Sequence, residues 1–414
     1  MSVRHLLACV PLLFGSIPGT LDAQARPLSL EQALSEAREK SLELRLAEAE
    51  LAVARADLKA AHLRSYNPEA GFSIGPSTNA DTTLTSYQVG VSQTLELGGK
   101  RGHRTATAER RVEAAEARLA RSREVVFGRV RRAFGLALVA QARVSTAIEA
   151  DSVATLLRSA AEERLRLGAG TALEVNVAAA AAARERRARF QAERDLTSAL
   201  LELGAAVGLP ASDPITPQGE MPRPFAPGRS EDELVQVALE RRPDLAAFRA
   251  EIAAAESERQ LARSLAWPDP TIGVSGGQAE DFRVLEFGFA IPLPLWNRGQ
   301  GARAQAGATL DRARLAEALA RREAEREVRN AYRALASAVA AEQAFDRDVV
   351  ERLRENLALA EESFRAGKIG LLIYNGVRRD LVEARLDYLD AVAEVIERSA
   401  ALTLAVGGDI GSNQ

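Results

Sequence analysis

The chain is short of the residue types that build chemical sites. Of its 414 residues one is cysteine, Cys9, and three are histidine, His5, His62 and His103. No two histidines stand at metal-ligand spacing, and past Cys9 the only soft sulfur ligand left is the lone Met221. No metal centre and no disulfide is therefore expected. Lysine occurs only at Lys40, Lys59, Lys100 and Lys368, all other basic residues being arginine, and the formal net charge is −3. That balance lacks the basic face of a nucleic-acid binder, so no nucleic acid is expected as a partner. Gly98-Gly99-Lys100 lacks the first glycine and the hydroxyl of a phosphate loop, and no Ser-His-Asp or paired-carboxylate constellation is present. The sequence predicts neither an enzyme nor a cofactor. Finally, no apolar run approaches the roughly 20 residues of a membrane-spanning helix.

What is present begins with a secretory pattern over residues 1–25. Arg4 and His5 precede the apolar run Leu6 to Phe14, and Ala23-Gln24-Ala25 forms an A-x-A cleavage site, placing the mature start near Arg26. Only Leu6, Leu7 and Ala8 precede Cys9, too few for a lipoprotein signal, whose apolar core needs about seven residues or more. Cys9 is expected to leave with the signal.

The remainder is a duplication with a period of about 200 residues. Ala33-Leu34-x-x-Ala37 is mirrored by Leu234-Val235-x-x-Ala238, and Leu95-Glu96-Leu97 by Leu293-Pro294-Leu295. Glu162-Glu163-x-x-Arg166-x-Gly168 is mirrored by Glu361-Glu362-x-x-Arg365-x-Gly367, and Ala206-Val207-Gly208 by Ala405-Val406-Gly407. The first repeat is expected over 26–208 and the second over 230–407. A linker over 209–229, too rich in proline for a helix or a central strand, joins them, and a Gly-rich polar tail over 408–414 follows.

Each repeat reads as helix, two strands, long helix, tight turn and return helix. The opening helices run from Ser29 to about Arg64 and from Ser230 to Ala266, with serine caps and one apolar face. Long helices over 102–166 and 302–365 are nearly free of proline, and 65 residues at 1.5 Å each extend about 98 Å. The tip turns fall at 167–171 and 366–371, where glycines stop one helix before the next begins. Alanines 178 to 183 suit either close helix packing or plain helix formation.

Strands are expected at about 69–76, 84–97, 270–276 and 283–295. Tyr87, Val89 and Val91 alternate with polar or small residues, as do Leu285, Phe287 and Phe289, which gives each strand one apolar face. Alternation over about 9–11 residues is also the signature of a transmembrane β-strand, whose apolar face meets lipid. Four strands cannot close a barrel, whereas three copies give about 12, an even number within the range of bacterial barrels. If the strands enter a membrane, the chain must be an oligomer, because an open sheet edge in lipid is too costly.

This layout resembles the TolC-like outer-membrane efflux proteins over the whole mature chain. Gln93-Thr94-Leu95-Glu96-Leu97-Gly98-Gly99-Lys100-Arg101 and Ile291-Pro292-Leu293-Pro294-Leu295-Trp296-Asn297-Arg298-Gly299-Gln300-Gly301 are similar to the heavy-metal, cobalt-zinc-cadmium branch. The resemblance implies a mainly α protein with a β-barrel part. It implies a homotrimer whose roughly 12-stranded barrel in outer-membrane lipid continues into a long α-helical barrel through the periplasm. It implies partners at the helical tips: a periplasmic adaptor protein and, through it, an inner-membrane RND-type pump. The docking residues would be Gly168, Ala169, Gly170 and Thr171 in the first turn and Gly367, Lys368, Gly370 and Leu371 in the second. Two acidic residues that narrow the entrance in some members are replaced here by Ile373 and Gly376, which leaves Glu174 and Asp380 as candidate entrance charges. The function implied is a passive duct for heavy-metal cations, with drug efflux or type I secretion as the alternative cargo. A periplasmic coiled-coil adaptor or scaffold is the alternative of a different class, and it should lack the twin amphipathic hairpins.

Overall fold

A computed structural model describes residues 25–78, 83–221, 228–279, 282–344 and 347–408. The expected signal up to residue 24 with Cys9, the prolines Pro222, Pro224 and Pro227, and the tail from 409 lie outside the described residues, as does Asp81 between the first two long strands. The first repeat contains β1 (Arg26–Leu28), α1 (Leu30–Lys40), α2 (Leu42–His62), β2 (Glu69–Thr78), β3 (Thr83–Thr94), α3 (Lys100–Arg166) and α4 (Ala172–Val207). After β4 (Ile215–Pro217) come α5 (Glu231–Arg241), α6 (Pro243–Ser264), β5 (Thr271–Ala279), β6 (Phe282–Ala290), α7 (Gln300–Ala344), α8 (Arg347–Arg365) and α9 (Leu371–Val406). The long helix expected over 302–365 is thus described as α7 and α8, with residues 345 and 346 between them outside the description.

Each opening helix is two helices rather than one. Ser41 ends α1 by donating its N–H to the Ala37 carbonyl at 3.0 Å, and it starts α2 by accepting the Leu44 N–H on its hydroxyl. A serine hydroxyl competes with the helical ladder in this way. In the second repeat the break falls at Arg242, because Pro243 has no N–H and fits only the first turn of a new helix. The second surprise is β1, which pairs in parallel with β4 inside the proline-rich linker. Gln218 N–H donates to the Leu28 carbonyl and Arg26 N–H to the Pro214 carbonyl, both at 2.9 Å. Proline is tolerated there because the sheet has only two strands, both of them edges.

At 67 residues, α3 is a rod of about 100 Å. It packs against α2, α4, α6 and α9, and α7 packs against α6 and α9. Alanine makes this possible: Ala137, Ala140, Ala147, Ala150, Ala154 and Ala161 are buried along α3. From the alanine run 178–183 only Ala178 and Ala182, one turn apart, are buried, so only that face serves packing. Two larger apolar clusters sit at equivalent places in the repeats. One gathers Leu28, Val130, Phe134, Leu203, Val207 and Ile215; the other gathers Leu234, Val328, Leu335, Leu402 and Val406.

The four long strands form an antiparallel sheet in the order β2-β3-β5-β6. β3 and β6 end at Thr94 and Ala290, short of the expected 97 and 295. Leu95 N–H turns to the Pro270 carbonyl at 2.8 Å and Leu97 N–H to the Asp269 carboxylate at 2.9 Å. After β6, Pro292 and Pro294 have no N–H to give a ladder.

Candidate functional site

The sheet has two unlike faces, fixed by register. Phe72 pairs with Val89 and Ile74 with Tyr87; Val91 pairs with Val274, which pairs with Phe287; Ile272 pairs with Phe289. Because successive side chains alternate, these apolar residues share one face. Tyr87, Val89, Val91, Leu285 and Phe289 are all exposed, and Phe287 is 82% exposed. On the opposite face Gln88 donates from Nε2 to Ser275 Oγ at 2.9 Å and to Glu286 at 2.8 Å, among Gly71, Gly90, Gly273 and Gly288. An apolar face without cover beside a polar, small-residue face is what a barrel wall between lipid and a water-filled lumen requires.

The sheet and the helices beneath it share their edges. α2 leads into β2, β3 into α3, α6 into β5 and β6 into α7, and the helices pack in the order α2-α3-α6-α7. β2 with α2 forms one open side, β6 with α7 the other. On α2, Leu44, Ala47 and Leu51 are buried against the rest of the chain, yet a second seam at heptad spacing, Leu42, Leu46, Ala49, Val53, Ala56 and Ala60, is exposed. α7 exposes Leu315 and Leu319 on its side.

At the far end, the two tip turns have the same backbone. Gly168 and Gly367 adopt φ of 72° and 71°, a left-handed conformation that a Cβ disfavours. Gly168 N–H donates to the Leu165 carbonyl at 3.0 Å and Ala169 N–H to the Arg164 carbonyl at 2.8 Å; Gly367 and Lys368 repeat this on Phe364 and Ser363. This is the Schellman pattern of helix ends. Gly168, Ala169, Thr171, Gly367, Lys368 and Gly370 are exposed, whereas Gly170 is half-buried, and a Cβ there would come within 3.1 Å of Arg164 and Leu165. Leu371 departs from expectation. It is 4% exposed, packed on Ala161 and Ala178 with Val175 and Phe364, so it ties the two tips together and offers no surface for docking.

Residues 33–209 and 234–408 match the outer membrane efflux protein family, two blocks that coincide with the internal repeats. The chain belongs to this family. It is similar to the cobalt-zinc-cadmium resistance protein CzcC of Cupriavidus metallidurans, 29% identical over 385 residues that cover 92% of this chain and 91% of that one. The pyoverdine export outer membrane protein OpmQ of Pseudomonas putida is 28% identical over 350 residues, covering 80% and 73%. Among solved structures, a membrane protein from Pseudomonas aeruginosa superposes with a TM-score of 0.75 at 22% identity, covering 91% of this chain and 93% of that one. CusC superposes with a TM-score of 0.74 at 20% identity, covering 92% of each.

As an outer membrane efflux protein, the chain is a channel subunit and not an enzyme. It resides in the outer membrane with its helices extending into the periplasm. Members of this family are trimeric channels that work with adaptor proteins in tripartite pumps. Near the tip, Glu174 is half-buried and its carboxylate accepts the Thr171 N–H at 3.2 Å, while Thr171 Oγ1 accepts the Glu174 N–H at 3.2 Å. This capping box occupies the charge in starting α4. Asp380 is exposed beside Arg379, at 3.5 Å. Among the described residues no group of three or more His, Cys, Asp or Glu is placed to hold a metal ion, and no helix is long and apolar enough to cross a membrane.

Four charges are buried among the described residues, Lys100, Asp151, Arg242 and Arg378, and of these the sequence drew attention only to Lys100, within Gly98-Gly99-Lys100. Arg378, one helical position from Arg379, donates to the Ala150 carbonyl at 2.9 Å and to Glu185 at 3.2 Å, locking α9 onto α3 and α4. Arg242, 4% exposed, donates to Asp244 and Glu327, both at 2.7 Å, and to the Ala405 carbonyl at 2.9 Å. Burial alone would raise the Asp244 carboxyl, but hydrogen bonding and charge from Arg242, with Arg121 behind, hold it below the ordinary aspartate range. Lys100 is buried where the sheet meets the helices, its ammonium on Asp269 and on the Trp267 carbonyl, each at 2.7 Å. The signal for Lys100 was its type: a lysine in a chain that uses arginine nearly everywhere else.

Proposed function

We propose that three copies of this chain assemble into an export duct that passively conducts heavy-metal cations from periplasm to exterior. The observation supporting assembly is the shared pair of open edges. β2 and β6 leave backbone donors and acceptors unpaired, which a bilayer penalises by several kcal/mol per group, roughly, so β6 of one copy must meet β2 of the next. The exposed seam on α2 faces α7 of the neighbour in the same arrangement, and three copies carry the sheet to about 12 strands. The tips then dock a periplasmic adaptor and reach an inner-membrane RND-type pump through it, with Gly168, Ala169, Thr171, Gly367, Lys368 and Gly370 as the contact surface.

The cargo reading rests on the full-length similarity to a cobalt-zinc-cadmium resistance protein. With no metal-holding cluster among the described residues, selection belongs to the pump and adaptor, and the duct only conducts. The similarity to a pyoverdine exporter supports a second reading, a duct for organic compounds. Deleting the gene and measuring tolerance to zinc, cobalt, cadmium, copper and a drug panel separates the two. Loss of tolerance to divalent metals alone supports the first; unchanged metal tolerance with drug sensitivity sinks it. Lys368→Cys and Ala169→Cys should crosslink to the adaptor in whole cells, and a cysteine at Asp81 should not.

A further inference from the structure

The outward apolar series of β6 does not stop where the strand stops. Leu285, Phe287 and Phe289 lie within it, and Ile291, Leu293 and Leu295 continue the alternation beyond Ala290, spaced by Pro292 and Pro294 and closed by Trp296. All are exposed, Trp296 the most at 86%, and Trp267 is exposed beside them across a shared cleft. Three observations bear on what covers this strap.

The first is height. A strand tilted by about 40° climbs about 2.5 Å per residue, and the lipid-facing band of an outer-membrane barrel is about 25 Å tall. Leu285 to Phe289 therefore climb only about 10 Å, whereas the series carried on in extended form as far as Leu293, where the chain bends, would climb about 20 Å. The second is donors. A segment that has left the ladder keeps its N–H groups unpaired, which is costly away from water. Pro292 and Pro294 have no N–H, and the Leu295 N–H is satisfied by the Leu293 carbonyl at 2.9 Å. The third is charge: Arg298 lies two residues past Trp296, and it and Arg101 and Arg303, on the first turns of α3 and α7, are exposed.

We propose that the strap Ile291–Trp296 is a lipid-contact site for phospholipid of the periplasmic leaflet. Ile291, Leu293 and Leu295 complete the barrel's apolar band, Trp296 sits at the headgroup level where tryptophan concentrates, and Arg298 faces the phosphates. This rests on the outer-membrane duct reading. It fixes the depth at which the duct sits by a segment outside the sheet.

Trp267 and Trp296 are the only tryptophans, so Trp267→Phe leaves Trp296 as a single intrinsic probe. The full chain, purified as the assembled protein, is placed in phosphatidylethanolamine–phosphatidylglycerol vesicles with or without bromine on the acyl chains. Trp296 emission should fall about twofold or more in the brominated vesicles, as expected for a side chain at the lipid interface. Quenching by aqueous acrylamide but not by bromine would overturn the proposal in favour of water. Shielding from both would overturn it in favour of cover by a second copy. A fluorophore on Phe287→Cys in the same vesicles tells the two levels apart. If it is quenched by bromine while Trp296 is not, the strap proposal fails and the duct stands; if neither is quenched, the duct reading fails too.

Discussion

The two repeats share a backbone plan but are held by different chemistry. At the first kink Ser41 caps a helix with a hydroxyl; at the second Arg242 buries a guanidinium among Asp244, Glu327 and the Ala405 carbonyl. The first tip starts its return helix with the Thr171–Glu174 box, whereas the second starts at Gly370 with no side-chain cap. Duplication thus fixes the path of the chain, and the positions where the copies differ carry the specific ties. Ser41 corresponds to Arg242, Ala179 to Arg378 and Asn67 to Asp269, and in each pair the second repeat alone supplies the buried or ion-paired charge.

The sharpest way to break this asymmetry is at the kinks. Arg242→Ala should destabilise the helical body by about 3–5 kcal/mol, because two carboxylates lose their buried partner. Ser41→Ala should cost only about 1 kcal/mol, the worth of one cap. Equal losses in urea unfolding would erase the distinction. pH sharpens it further. Asp244 has a depressed folded pKa, so its contribution is complete above its unfolded value near 3.9 and is lost as pH falls through the folded one. Asp244→Asn should therefore weaken the protein at neutral pH and converge with the parent in strong acid.

Next in size is the sheet, where the repeats should behave alike. Phe287→Arg and Val89→Arg should each cost about 2–4 kcal/mol if both face the bilayer near its midplane. Trimer recovery from outer membranes measures this, and a loss at only one site would mean that one hairpin does not face lipid. At the tips, Gly367→Val should strain the turn by about 1–2 kcal/mol while leaving trimers intact, since the sheet lies about 100 Å away. Export should fail if the tip docks the adaptor. The smallest difference is at the caps: Thr171→Ala should loosen the first tip by about 1 kcal/mol, seen as faster proteolysis there. Gly370 has no side chain to remove, so the second tip already behaves as the uncapped case.

Much of this was legible in the sequence for physical reasons. Alternation at period two marks a strand wherever one face must be apolar, and long alanine-rich runs free of proline have little choice but helix. The tip glycines were readable because few residues other than glycine adopt a positive φ. Strand ends were not, because Leu95 and Leu97 keep the alternation while their N–H groups bond to Pro270 and Asp269, some 170 positions away. Leu371 looked like part of an exposed turn, but its burial depends on Ala161 and Ala178 of the other repeat. The burial of Arg378, Arg242 and Lys100 was hidden for the same reason: apart from Asp244, two positions from Arg242, their partners are set by tertiary contact, not by spacing.

The parallel pairing of Arg26–Leu28 with Ile215–Pro217 also sets an order of events in time. Helical hairpins close through neighbours in sequence and form early, whereas β1 has to wait until a segment almost the whole first repeat away has emerged. The chain's own beginning is therefore among the last parts of that repeat to find its place. Any step that needs this two-stranded pairing in place is held back until the linker has followed the first repeat.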